Sequence, residues 1–349
     1  MIYVYILLVL LCTLLKKPNI LGIFVVIFLS YLVSVSSNVP DFSNYEYIYQ
    51  HIIPTELFGM GKGWYFINNI GRQNNLTYLQ FKTILILIGL ILLFLTFEYF
   101  AKNSSNYVWG MYLLYPAFLD IVQTRFFLAI SISVFGLIFL TQKNIWGTIM
   151  FFCFVTVATC IHNSNAFYYL FLLIPVIEKN KKIFSRLIIF STLLLIPLKN
   201  VLLSFISSFA SLRQNYYFDN NSGIGIVLLY DVIMIIFFLL TDALNNQILA
   251  SPEISKKEKS VSKLAMDINM ILLLLIPLSI VASEFLRLQR IGWIFVYIQL
   301  AILVCHKKEI DIKGISINNR FFGFLLSLFG LIGLILITSP LAVTSFLVN

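Results

Sequence analysis

Asp120-Ile121-Val122-Gln123-Thr124-Arg125 interrupts a stretch, Tyr107 to Thr141, that is otherwise apolar. As one helix, these 35 residues would reach roughly 52 Å, against a hydrocarbon core of about 30 Å. The chain must therefore turn near Arg125, which predicts a helical hairpin with a carboxylate and a guanidinium at its tip. A second apolar stretch, Ile145 to Ile177, repeats the pattern, with Ile161-His162-Asn163-Ser164-Asn165 at its turn. Two hairpin tips with reactive side chains on one membrane face mark a candidate site.

Sixty per cent hydrophobic residues, 11% charged residues and a mean hydropathy of +0.94 exclude an ordinary soluble domain. The apolar runs are continuous, not alternating every second residue, so the expectation is an all-α polytopic membrane protein and not a barrel. The run Ile2 to Leu15 lacks a basic leader and a small-residue cleavage site, and reads as a first span. Cys12, Cys153, Cys160 and Cys305 all lie in apolar segments without Cys-x-x-Cys spacing, so neither a disulfide framework nor a metal site is indicated. The net charge of +9 would suggest nucleic acid in a soluble protein; here its spread over the loops explains it, and no nucleic-acid partner is expected.

Apolar windows place helices at 2–15, 19–35, 82–100, 107–122, 126–141, 145–161, 165–178, 183–210, 224–243, 267–284, 290–306 and 320–338. That is about twelve spans (10–14) in a single integral membrane domain, 1–349, with the lipid bilayer as its surroundings. The run 183–210 is overlong and carries Pro197 and Lys199, so it is expected to kink or split. Placing the clusters at Lys16, Lys102, Lys143, Lys179–Arg186, Lys256–Lys263 and Lys307–Arg320 on one side gathers 16 of the 24 Lys and Arg residues there. By the positive-inside rule that side is cytoplasmic, with both termini outside. Residues 36–81 then form a long first extracytoplasmic loop and 244–266 a cytoplasmic one; Glu178–Lys182 and Ser251–Lys263 read as plain connecting segments.

The outer face collects Asp120, Arg125, His162, Arg213, Glu284, Arg287 and Arg290 at helix ends. Ionisable groups at membrane depth are costly and usually face a bundle interior or a water-filled cavity. Outside the first loop, the external basic residues are all arginine, and guanidinium forks suit phosphate or carboxylate. The bland alternative is that each arginine reaches to headgroups or anchors a helix end. In Ser283-Glu284-Phe285-Leu286-Arg287-Leu288-Gln289-Arg290, helical spacing would put Glu284 and Arg287 on one face, either closing a helix end or orienting an arginine for an anion.

The first loop is longer than a connector needs. Asp41 and Glu46 are candidate general bases, although Asp41 could equally cap a short helix. Tyr45, Trp64 and Tyr65 offer flat rings for sugars, or for an interfacial aromatic belt. A lone histidine at an apolar turn, such as His162, is more often a hydrogen-bonded structural residue than a catalyst.

These residues, in this order, resemble the EpsG family of Wzy-like membrane proteins of bacterial exopolysaccharide and capsule synthesis. The likeness runs from about residue 35 to 300. Its carriers are Pro40-Asp41 with Tyr45 and Glu46; Gln123-Thr124-Arg125-Phe126-Phe127-Leu128-Ala129; Ile161-His162-Asn163-Ser164; and Arg287 with Arg290. The Phe-Phe after Arg125 departs from the family pattern, and Arg213 matches no fixed motif.

The resemblance implies polymerisation of undecaprenyl-diphosphate-linked oligosaccharide repeat units at the outer leaflet by a GT-C-like bundle. It implies no cofactor, neither nucleotide nor essential metal, and a setting among other polysaccharide-assembly proteins. Asp41, Glu46, Arg125 and His162 become candidate catalytic residues. Tyr45, Trp64, Tyr65, Gln123, Arg213, Glu284, Arg287 and Arg290 become candidate substrate ligands. Competing readings are a transporter or flippase of lipid-linked sugar, an O-antigen-ligase-like transferase, and a membrane scaffold. Against transport, there is no convincing internal repeat, although Pro197 with Lys199 would suit a broken helix.

Overall fold

The computed structural model describes the chain except for residues 16–19, 38, 41, 52–60, 199, 202–203, 205–223, 308, 313–314, 336–340 and 348–349. Helix dominates it. From the N-terminus run α1 (Ile2–Leu14), α2 (Ile20–Val35), α3 (Phe42–His51), α4 (Lys62–Gln73), α5 (Tyr78–Ala101), α6 (Ser105–Leu114), α7 (Ala117–Val122), α8 (Thr124–Leu140) and α9 (Ile145–Ile161). A 3₁₀ helix, Asn163–Leu173, then leads into α10 (Ile174–Lys179) and α11 (Lys181–Leu195). The second half holds α12 (Ile224–Ala250), α13 (Lys256–Leu272), α14 (Leu275–Val281), a second 3₁₀ helix (Ser283–Gln289) and α15 (Arg290–His306). A two-stranded hairpin, β1 (Glu309–Ile312) and β2 (Ile315–Asn318), pairs Glu309 with Asn318 and precedes α16 (Asn319–Gly333) and α17 (Leu341–Leu347).

Among the described residues, four helical stretches are long and apolar enough to cross a membrane: Tyr78–Ala101, Val227–Ala250, Lys256–Val281 and Glu284–His306. Shorter apolar helices accompany them at Ile2–Leu14, Ile20–Val35, Thr124–Leu140, Ile145–Ile161 and Asn319–Gly333. The chain is thus an all-α membrane protein, but several expected spans are broken. The expected span 107–122 divides at Tyr115-Pro116, because proline brings no N–H to continue the ladder. The expected span 267–284 is preceded by helix from Lys256 and divides at Leu273-Leu274. The expected span 165–178 is 3₁₀ over its first nine residues (to Leu173). Within 183–210, α11 closes at Leu195, ahead of Pro197, and helix resumes at Asn200.

Both polar segments expected to be loops carry helix. Residues 36–81 contain α3, α4 and the start of α5. Residues 244–266 are helical apart from 251–255. Capping boxes fix these starts: Thr77 Oγ1 accepts from Gln80 N at 3.3 Å while Gln80 Oε1 accepts from Thr77 N at 3.0 Å. Ser255 and Glu258 repeat the arrangement at 3.2 and 3.0 Å.

α15 is the central post, buried from Arg290 to Leu303 and packed against α5, α6, α12, α13 and α16. A helix covered on every side must satisfy its polar groups internally. The Gln299 Nε2 group does so, donating to Ser262 Oγ at 3.0 Å and Ser262 O at 3.1 Å, while Ser262 donates to Asn245 at 3.0 Å. This seam ties α12, α13 and α15 together and leaves the end of α15 at Arg290 firmly placed.

Candidate functional site

Arg290 is the first residue of α15 and is 2% exposed. Its Nη1 donates to Asp120 Oδ1 at 2.6 Å, and both side chains are 2% exposed. The second Asp120 oxygen accepts from the Tyr112 hydroxyl at 2.8 Å. Arg290 Nη2 donates to Gln123 Oε1 at 2.5 Å, and its guanidinium carbon lies 4.9 Å from the Phe126 ring centre. Removing one partner of a buried pair like this leaves an uncompensated charge, which is strongly destabilising. The pair joins the break after α6 to the start of α15, across 170 residues of sequence.

The second hairpin tip lies beside the first. The His162 ring meets Phe126 edge-on, with centres 5.3 Å apart. Its Nδ1 shares a hydrogen bond of 2.8 Å with Ser164 Oγ, and Ser133 donates to Asn165 Oδ1 at 3.3 Å. Tyr168 donates to the Leu288 carbonyl at 3.0 Å, linking the two 3₁₀ helices. Phe126, which the His162 ring meets, also carries the Arg290 guanidinium over its face and follows Arg125 in sequence. These contacts bring the two tips and the start of α15 together.

The arginines are not equivalent. Arg290 is neutralised by Asp120, and Arg287 forms an ion pair with Glu284 one turn earlier. Arg125, the second residue of α8, is half-buried, and its Nε and Nη1 are buried with no hydrogen-bond partner among the described residues. Thr124 Oγ1, Gln289 Nε2 and Arg290 Nε share that condition. Gln123, at the N-cap, gives α8 no side-chain cap. Five orphaned polar atoms and an uncapped helix start are costly unless a ligand fills them, and helix N-termini favour anions.

The first loop reaches the same place. A Cβ on Gly61 would lie 2.1 Å from the Cys160 carbonyl oxygen and 3.2 Å from Asn163 Oδ1, and one on Gly63 2.8 Å from that carbonyl. Only glycine lets the start of α4 press on the backbone just before His162. Trp64 follows, but it is 2% exposed, ringed by Tyr45 at 6.3 Å and Phe81 at 6.0 Å, so its faces meet protein, neither sugar nor lipid headgroup. Tyr65 is half-buried beneath the Arg72 guanidinium, 6.0 Å away. Tyr45 and Glu46 are half-buried on α3. Asp41 and Arg213 lie outside the described residues.

Two groups at this cluster, Tyr112 and Gln289, escaped the sequence reading, as did Lys82 on α5. Tyr112 and Gln289 sit in apolar or mixed runs where nothing marks them. Lys82 is 2% exposed, with its ammonium 5.5 Å from the Phe42 ring centre; a lysine inside an apolar helix was the available signal.

Fold and site together define a helical membrane protein with a cluster of guanidinium groups at one end of its bundle. The EpsG family model matches residues 19–347, nearly the whole chain, and the chain belongs to the EpsG family. This is a family of polysaccharide-biosynthesis polymerases. No curated protein and no solved structure is detectably similar to the chain.

Proposed function

We propose that the chain polymerises undecaprenyl-diphosphate-linked oligosaccharide repeat units into exopolysaccharide, capsule or O-antigen, at the outer face of the cytoplasmic membrane. The observation that carries this reading is Arg125, whose buried donors have no partner among the described residues at the uncapped start of α8. In this reading Arg125 grips the donor diphosphate and stabilises its charge as it leaves. Arg287, oriented by Glu284, adds a second cation, while Arg290, held by Asp120, fixes Gln123 and the helix start. Arg213 is kept as a further phosphate ligand.

The acceptor hydroxyl attacks the donor anomeric carbon, the bond to the diphosphate oxygen breaks, and a carboxylate takes the proton. Asp41 or Glu46 fills that role before His162, whose Nδ1 is engaged by Ser164. Tyr45 and Tyr65 flank the sugars. The bundle is read as GT-C-like, with both termini extracytoplasmic.

The test is purified protein in nanodiscs with a lipid-diphosphate-linked repeat unit, resolved as a glycan ladder. A ladder lost in Arg125→Ala, with membrane insertion intact, supports the scheme. Wild-type ladders from Arg125→Ala would sink it. Movement of substrate across vesicles without any ladder would make the protein a transporter.

A further inference from the structure

At the far end of α15 from Arg290, about 24 Å away along 17 helical residues, lies a cavity of about 270 Å³. Its polar wall comprises Asn103, Ser104, Asn106, Cys305, His306 and Arg320. No carboxylate among the described residues lines it. Two carboxylates close to the wall are already engaged: Glu258 by His306 at 3.0 Å and Glu98 by the Ser105 hydroxyl. Arg320 lines the cavity and gives Nη1 to the Leu14 carbonyl, which pins its guanidinium in the wall. Ser104, at the N-cap of the ten-residue α6, forms no side-chain cap, so the amide-rich start of that helix borders the same space. Lys307 stands beside His306, half-buried.

Asn106 spends its amide hydrogens on the Cys12 and Leu15 carbonyls, which leaves a guanidinium and a helix start around a roomy space lined by no carboxylate among the described residues, and these favour an anion. We propose that this cavity binds a phosphate group, carried either by an anionic phospholipid headgroup or by free phosphate. Basic residues on one membrane face attract both sources, so chemistry alone does not separate them. The site is remote from the arginine cluster and independent of the polymerase reading.

Cys305 is exposed in the cavity wall and reports occupancy directly. The full chain, with Cys153 and Cys160 changed to Ser, retains Cys305 and the buried Cys12, and its N-ethylmaleimide labelling rate is read in nanodiscs. A slowing of about fivefold or more in phosphatidylglycerol relative to phosphatidylcholine identifies the lipid headgroup. The same slowing in phosphatidylcholine on adding millimolar inorganic phosphate identifies a soluble source. Equal rates in all three conditions overturn the proposal.

Arg320→Gln should abolish the protection. Because that change also frees the Leu14 carbonyl, Ser104→Glu is tested beside it: it sets a carboxylate in the cavity and leaves the Arg320 anchor in place. Protection that survives both substitutions also overturns the proposal.

Discussion

Asp120→Asn removes the one carboxylate hydrogen-bonded to Arg290 among the described residues and leaves the neighbouring contacts in place. The amide oxygen of the substituted side chain can still accept from Tyr112, and Gln123 and Phe126 still touch the guanidinium. What is lost is neutralisation of a cation that is 2% exposed. Breaking a buried ion pair by removing one partner costs about 3–5 kcal/mol. If the contact were worth only an ordinary interhelical hydrogen bond within a membrane, the cost would be about 0.6 kcal/mol. The two values are far enough apart to measure, by unfolding in mixed micelles followed by circular dichroism. Asp120→Leu with Arg290→Met removes both charges, and apolar replacement of a buried pair is often neutral or stabilising. That double variant should regain most of the lost stability yet make no glycan ladder, because Gln123 and the start of α8 lose the Arg290 fork. A single-variant cost near about 0.6 kcal/mol, or a double variant as unstable as the single, refutes the reasoning.

Removal of the Arg125 donors should lower polymerisation about 100-fold or more in Arg125→Ala, with Arg125→Lys intermediate because it keeps charge but not the fork; initial-rate assays decide this. Trp64→Ala should cost about 3–5 kcal/mol of stability while leaving the KM for lipid-linked repeat unit unchanged in the folded fraction, since that ring is core. Gly61→Ala should push α4 away from the Cys160 carbonyl, only 2.1 Å from the added Cβ, and depress polymer yield without reducing membrane insertion, as blots of membrane fractions against ladders will show. For orientation, a cysteine placed at Lys102 should be labelled by an impermeant maleimide only after the membrane is opened; labelling of intact cells would reverse the proposed topology.

The turn at Asp120–Arg125 was legible because helix length against bilayer thickness leaves no alternative. Arg125 and His162 stood out as polar groups interrupting apolar runs, which places them at turns without assigning either a role. What Arg290 does was not legible, because its partner stands 170 residues away and no spacing rule spans that distance. The breaks at Pro116 and Leu273 were hidden by hydropathy, which stays high through them and reports burial but not hydrogen-bond continuity. Trp64, in a polar loop, reads as an exposed ring but is core. The cluster that buries it draws on Tyr45 and Phe81, which come from different helices and meet only in the fold. The helix starts at Thr77 and Ser255 were written in the sequence as Thr-x-x-Gln and Ser-x-x-Glu, a local signal that needs no tertiary context.

The 3₁₀ helix after His162 runs for 11 residues with about three per turn, and its inward side chains fall at Asn165, Tyr168 and Phe171, continued by Ile174 and Ile177 in α10. Spacing of three makes this segment intolerant of single insertions and deletions. Losing one residue turns everything beyond it through about 120°, carrying Tyr168 off the Leu288 carbonyl, whereas losing three shortens the rod by one turn and keeps its phase. Length variation along this stretch, natural or engineered, should therefore come in multiples of three, as though the segment carried a reading frame of its own.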